Sequence, residues 1–207
     1  MTNEVIVVTA AYGRDQIENL GGQQELLPII AAAGADGVAI RRELLRKEKR
    51  TACQRPATWF LLAGLQAFYS MPEALFTLQG EPNPHLNRHL VEAQQLSARG
   101  LKYSLGGFRH DRDYSLLRKE LAALPLTILV ENDQTHFGKL APMARYFHDN
   151  AGPQADTRMT FNTGNWLWVD ENPLEAARHL TPLAAVTTEK GWCAVNAYAN
   201  RANGKRC

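Results

Sequence analysis

The sequence predicts an α/β fold: about seven parallel strands alternating with helices, a (β/α)8, TIM-barrel-like chain that reads as incomplete at the C-terminus. Three observations predict it. Apolar runs such as Leu126 to Val130 lack the polar alternation of a half-wet strand, so they suit a parallel sheet covered on both faces. Amphipathic segments with helical spacing stand between those runs, and the strands recur at roughly 30-residue intervals. Over 207 residues that spacing approaches a full barrel and stops about one βα unit short.

Each element follows in order. Val5 to Ala10 reads as the first strand, and Gln23 to Ala33 as a helix with Leu26, Leu27, Ile29, Ile30 and Ala33 on one side. Gly34 stops it, and Asp36 to Arg41 is the second strand. Strand, helix and strand make a βαβ unit, which imposes a parallel pairing. The basic-rich stretch from Arg42 to Arg55 is weakly periodic and reads as an exposed helix and loop. Leu65 to Ser70 is the third strand, ended by Met71-Pro72. Gly80 to Pro84 is turn chemistry, with Asn83-Pro84 as cap and first turn of a helix to Arg99. Leu101 to Leu105 is the fourth strand, Asp113 to Leu124 a helix with an acidic start, and Leu126 to Glu131 the fifth strand. His136 or Gly138 to Asn150 is an amphipathic helix. Arg158 to Asn162, a capped helix from Asn172 to Leu180, and Leu183 to Thr188 complete the pattern. Residues 1–190 are therefore expected to form the barrel domain and 191–207 an irregular basic tail carrying Arg201, Lys205 and Arg206.

Composition narrows the function. A net charge of +2 from 23 basic and 21 acidic residues gives no reason to expect nucleic acid or a membrane as partner. Three scattered cysteines, Cys53, Cys193 and Cys207, fit a reducing compartment, and no leader or spanning run is visible, so the expected location is cytoplasmic. An open barrel would leave strand edges unpaired, which makes a homo-dimer an expectation.

Strand ends are where such folds place chemistry. Glu131 closes the fifth strand as a functional acid or as a cap for the next helix. His136 just beyond it lines a site or begins that helix. Arg41 and Tyr69 sit at strand ends, where each could contact a polyol or phosphate; the alternatives are an ion pair of Arg41 with Glu43 and rim packing of Tyr69. Thr160-Phe-Asn-Thr-Gly-Asn-Trp-Leu-Trp168 places Asn162 at the end of the sixth strand with Asn165, Trp166 and Trp168 in the loop just beyond it. Amides beside an aromatic wall suit a sugar; a hydrophobic plug would explain the tryptophans but not the amides. Gly21-Gly22 and Gly106-Gly107 match no phosphate-binding pattern and read as turns. His85 and His89, four apart on one helix, have zinc-binding spacing without the accompanying glutamate, and a solvated face is the plainer reading.

Gly34-Ala-Asp-Gly-Val-Ala-Ile-Arg41, Ile128-Leu-Val-Glu-Asn132 and Phe161-Asn-Thr-Gly-Asn-Trp166 together resemble the sugar phosphate isomerase/epimerase family. These are the xylose isomerase-like TIM barrels, a group that also holds endonuclease IV-type apurinic endonucleases. The resemblance runs from about Val5 to Thr188. It implies a divalent metal (Mn, Mg, Co or Zn) held by Glu, Asp, His and Glu on strands five to eight, with the glutamates moving a proton next to a sugar carbonyl. Carried onto this chain, Glu131 matches the fifth-strand ligand and base, and Asn162 stands where the Asp is expected. No histidine ends Ala184 to Glu189, no eighth strand is legible, and Ala39 stands where relatives often carry Glu.

The resemblance thus implies a sugar or sugar phosphate isomerase or epimerase, which if active uses Glu131 as catalytic base, Glu131 and Asn162 as metal ligands, and Arg41, Tyr69, His136, Asn165 and Trp166 as substrate contacts. The competing reading is a degenerate, non-catalytic carbohydrate-binding or structural remnant needing no metal. An abasic-site endonuclease is disfavoured by the near-neutral charge and by histidines lying off the strand ends.

Overall fold

The computed structural model describes residues 4–45, 60, 62–150 and 157–188, the last four as backbone. Most of the basic stretch after Arg42 and the whole tail from 191 lie outside the described residues, so those expectations stand as they were. Seven strands follow one another in a single sheet in sequence order: β1 (Ile6–Val8), β2 (Gly37–Arg41), β3 (Gln66–Phe76), β4 (Gly100–Gly106), β5 (Thr127–Glu131), β6 (Thr157–Asn162) and β7 (Ala184–Thr188). The pairings β1 to β2, β2 to β3, β5 to β6 and β6 to β7 are parallel, as the βαβ pattern requires. Helices stand between them: α1 (Arg14–Leu20), α2 (Leu27–Ala32), α3 (Leu86–Gln95), α4 (Ser115–Ala122), α5 (Leu140–Asp149), α6 (Thr163–Trp168) and α7 (Pro173–Leu180). Among the described residues no helix is long and apolar enough to cross a membrane.

The chain divides into two compact units, Met1–Glu73 with Pro84–Tyr103 and Pro125–Thr127, and Ala74–Asn83 with Ser104–Leu124 and Ile128–Cys207. In the first, Val38, Ala39 and Ile40 of β2 are buried, with Leu26, Leu27 and Ile30 beside them in the core. The single helix expected over residues 23–33 is broken in two. Pro28 has no N–H to give a preceding carbonyl, so Gln23–Leu26 forms a 3-10 turn and α2 starts with the proline in its first turn. Gly34 ends it at φ +80°. Helix α1 was not foreseen, because Ile17 is its only buried residue and leaves no periodic signal.

Strand β3 runs on through Met71-Pro72, where an end was expected. Its last residue paired with β2 is Ser70, so the missing N–H of Pro72 costs no rung there. In the second unit, Leu75 and Phe76 meet a turn that comes straight back: Asn83 N–H donates to Leu75 O and the Asn83 amide donates to Ala74 O. Asn83 is therefore spent on this turn, and α3 is entered through His85 without a side-chain cap. Phe76, Phe108, Tyr114 and Tyr146 pack ring against ring at centroid separations of 4.9 to 6.0 Å. Gly106 ends β4 at φ +74°, and a Cβ there would collide with the Phe76 carbonyl. Helix α7 is capped as expected, Asn172 Oδ1 accepting from Leu174 and Glu175 N–H.

Candidate functional site

Strands β5 and β6 carry the candidate site, wholly within the second unit. Side chains alternate along a strand, so Thr160 and Asn162 share one face of β6, and the register pair Glu131 with Thr160 brings Glu131 onto it. Glu131 is half-buried, and its Oε1 accepts a 3.1 Å hydrogen bond from Asn162 Nδ2. The direction of that bond is fixed by chemistry. Asn162 Oδ1 caps α6 by accepting from Asn165 N–H at 3.2 Å, and a backbone donor cannot be flipped, so the NH2 end must face the carboxylate.

Asn132 locks the same corner. Its Oδ1 accepts from Asn162 N–H at 2.7 Å and its Nδ2 donates to Asn162 O at 2.9 Å, so one side chain satisfies both backbone groups of a neighbouring strand end. The Asn132 carbonyl accepts from Asn165 Nδ2 at 2.6 Å, and Asn165 Oδ1 accepts from Gln134 Nε2 at 3.3 Å. All three asparagines are buried. Thr160 is fully buried too, and its hydroxyl has no hydrogen-bond partner among the described residues.

Three further expected contacts follow these strand ends in the chain. His136 is exposed and begins a 3-10 turn, its ring 3.8 Å from that of Phe137; the turn is capped by Thr135, which Asp133 holds. Trp166 offers no surface to a ligand: it is fully buried against Phe161, 5.5 Å between ring centroids, and Phe161 points to the face of β6 opposite Asn162. The loop expected after β6 is instead the short helix α6, which turns Trp166 inward. Asn165 belongs to the amide lattice. Sequence reasoning missed Asn132, Gln134 and Thr160 as members of the corner; the amide directly after Glu131 was the available signal.

Arg41 and Tyr69 belong to the first unit. Arg41 forms the ion pair with Glu43, at 2.6 Å. Tyr69 is buried and donates to Glu92 Oε2 at 2.9 Å. Glu92, on α3, also takes both prongs of the Arg42 guanidinium and a bond from Arg88. Burial alone raises its carboxyl, but the bonds from Arg42, Tyr69 and Arg88 outweigh burial and hold it at about 2. His89 corrects the expectation of a solvated face: it is completely buried on α3, with Nδ1 2.9 Å from Tyr103 OH. Burial, more than its charged neighbours, pushes His89 below its ordinary value and keeps it neutral.

The described residues do not fit the divalent metal that the resemblance implies. Such a cation is held by several carboxylate, imidazole or carbonyl groups that converge on one point, with water completing the shell. Asn162 presents hydrogens to Glu131 and has committed its oxygen to α6, and among the described residues no three His, Cys, Asp or Glu side chains converge.

No protein-family model matches the chain, and no curated protein does. Solved structures do. A putative xylose isomerase from Rhodospirillum rubrum matches at a TM-score of 0.66 with 14% identity, over 93% of this chain and 78% of that one. A D-psicose 3-epimerase crystallised with D-fructose matches at 0.64 with 10% identity, over 97% and 82%. The fold is that of the xylose isomerase-like TIM barrels. A 3-keto-D-glucoside 4-epimerase from E. coli adds a third xylose isomerase-like match, at 0.62 and 13% identity, over 99% and 89%. At such identities the likeness establishes architecture and leaves substrate and chemistry to the residues.

Proposed function

We propose that this chain is a sugar isomerase/epimerase-like protein in which Glu131 moves a proton next to a sugar carbonyl. The observation that carries the reading is the 3.1 Å bond between Glu131 and Asn162 at the paired ends of β5 and β6, which holds a half-buried carboxylate in one orientation at a strand end. The sugar substrates named for structures of this fold, D-fructose among them, supply the substrate class. Glu131 takes the proton from the carbon beside the carbonyl, leaving the electron pair in an enediolate. It then returns the proton to the adjacent carbon while the hydroxyl proton passes from one enediolate oxygen to the other, which leaves the carbonyl at the new position. A single base works on one face of the enediolate, so aldose–ketose isomerisation suits it better than inversion, which needs a second group opposite. His136 is the proposed substrate neighbour; Asn165 supports the corner through Asn132 and Gln134, and Arg41, Tyr69 and Trp166 are occupied elsewhere. The same proposal places the protein in a reducing cytoplasm as a homo-dimer, which a mass measurement on dilute protein tests.

Incubating the protein with aldoses and ketoses in D2O, with and without added divalent metal, tests the reaction by NMR. Deuterium should enter at the carbon beside the carbonyl, and Glu131→Gln should slow it by about 100-fold or more. No exchange on any sugar under either condition removes the enzyme. The amide lattice standing where ligands are expected favours a second reading, a non-catalytic carbohydrate-binding barrel. That reading predicts sugar-induced thermal stabilisation without exchange.

A further inference from the structure

We infer that Asn162 is a clamp standing in place of a metal ligand, so that the Glu131 site takes a neutral polyhydroxylated ligand without a divalent cation; this rests on the sugar reading above. The argument is one of committed lone pairs. A cation approaching Glu131 Oε1 from the β6 side meets the NH2 hydrogens of Asn162, which already occupy that oxygen. Turning the Asn162 amide over would aim its oxygen at the cation, but it would also strip the N–H of Asn165 of its acceptor in a buried position.

The strand end cannot shift to compensate, because Asn132 holds both the N–H and the carbonyl of Asn162. The neighbouring oxygens are taken as well: Asn132 Oδ1 by Asn162 N–H and Asn165 Oδ1 by Gln134. What the corner presents to a ligand is the half-buried Glu131 carboxylate, since Thr160 beside it in register is fully buried. A carboxylate accepts from the hydroxyl groups of an uncharged sugar. It does not suit a phosphate, whose charge it repels.

Direct titration of the full-length protein with Mn2+, followed by the signal of the free ion, tests this. The native protein should show no saturable uptake, and EDTA should leave its Tm unchanged. Asn162→Asp keeps the acceptor that caps α6 but sets a second carboxylate against Glu131. It should melt several degrees lower at pH 8 and recover when Mn2+ is added. Stoichiometric Mn2+ uptake by the native protein that Glu131→Gln abolishes would overturn the inference, and this comparison does not depend on Asn162→Asp folding. The titration contains no sugar. Failure of the deuterium exchange therefore removes the proposed reaction alone, and Mn2+ uptake removes the clamp alone.

Discussion

Arg42 and Glu92, fifty residues apart, meet as a fork inside the first unit, with Nε 2.7 Å from Oε2 and Nη2 3.1 Å from Oε1. Both are more than nine-tenths buried. Arg42→Ala would leave the Glu92 carboxylate buried with fewer partners, and the expected loss is about 3–5 kcal/mol of unfolding free energy in urea. Replacing both with apolar residues of similar volume, Arg42→Met with Glu92→Leu, should cost clearly less, because no charge is then stranded.

Acid should weaken the same unit in two stages. His89 is neutral when folded, so below its ordinary value of 6.5 the unfolded chain binds a proton that the native state refuses, and stability declines from there. Glu92 is ordinarily 4.5 and is held at about 2, so its contribution is complete above 4.5 and is lost as pH falls toward 2. Urea unfolding between pH 7 and 3 should show both. His89→Gln should flatten the upper stage only.

Asn132→Ala removes the side chain that satisfies the backbone of Asn162. Each of the two orphaned groups should cost about 1–3 kcal/mol, and the carboxylate of Glu131 should lose its fixed position. The expected outcome is a lower Tm together with a proton-exchange rate reduced more than the stability loss explains. A variant with native Tm and native rate would show that the corner is not held by this residue.

Gly106→Ala tests the turn after β4. The position is at φ +74°, and the added methyl would press on the Phe76 carbonyl, which is backbone and cannot swing aside. A loss of about 1–3 kcal/mol is expected, read by thermal unfolding.

The strands were legible because buried parallel strands announce themselves as apolar runs, and Leu126 to Val130 became β5 within a residue at its start. Short elements were not. Helix α1 buries one side chain, and α6 was hidden in a Thr-Gly-Asn sequence that reads as a loop until Asn162 caps it. The neighbourhood of Glu131 and Asn162 could be anticipated from where each strand ends. The committed state of the Asn162 amide could not, since it depends on Asn132 and Asn165 as partners. Likewise no local pattern joins Arg42 to Glu92, and the burial of His89 follows from what α3 packs against and not from its spacing to His85.

Asn132 behaves as a rung of the sheet made from a side chain. A backbone rung breaks only when strands part. This one depends on two rotatable bonds, and because Asn132 is fully buried its rotamer is held by the packing around it. The end of β6 beside Glu131 is thereby tied to core packing as well as to the sheet, so a core substitution next to Asn132 would loosen the site without touching a strand pairing.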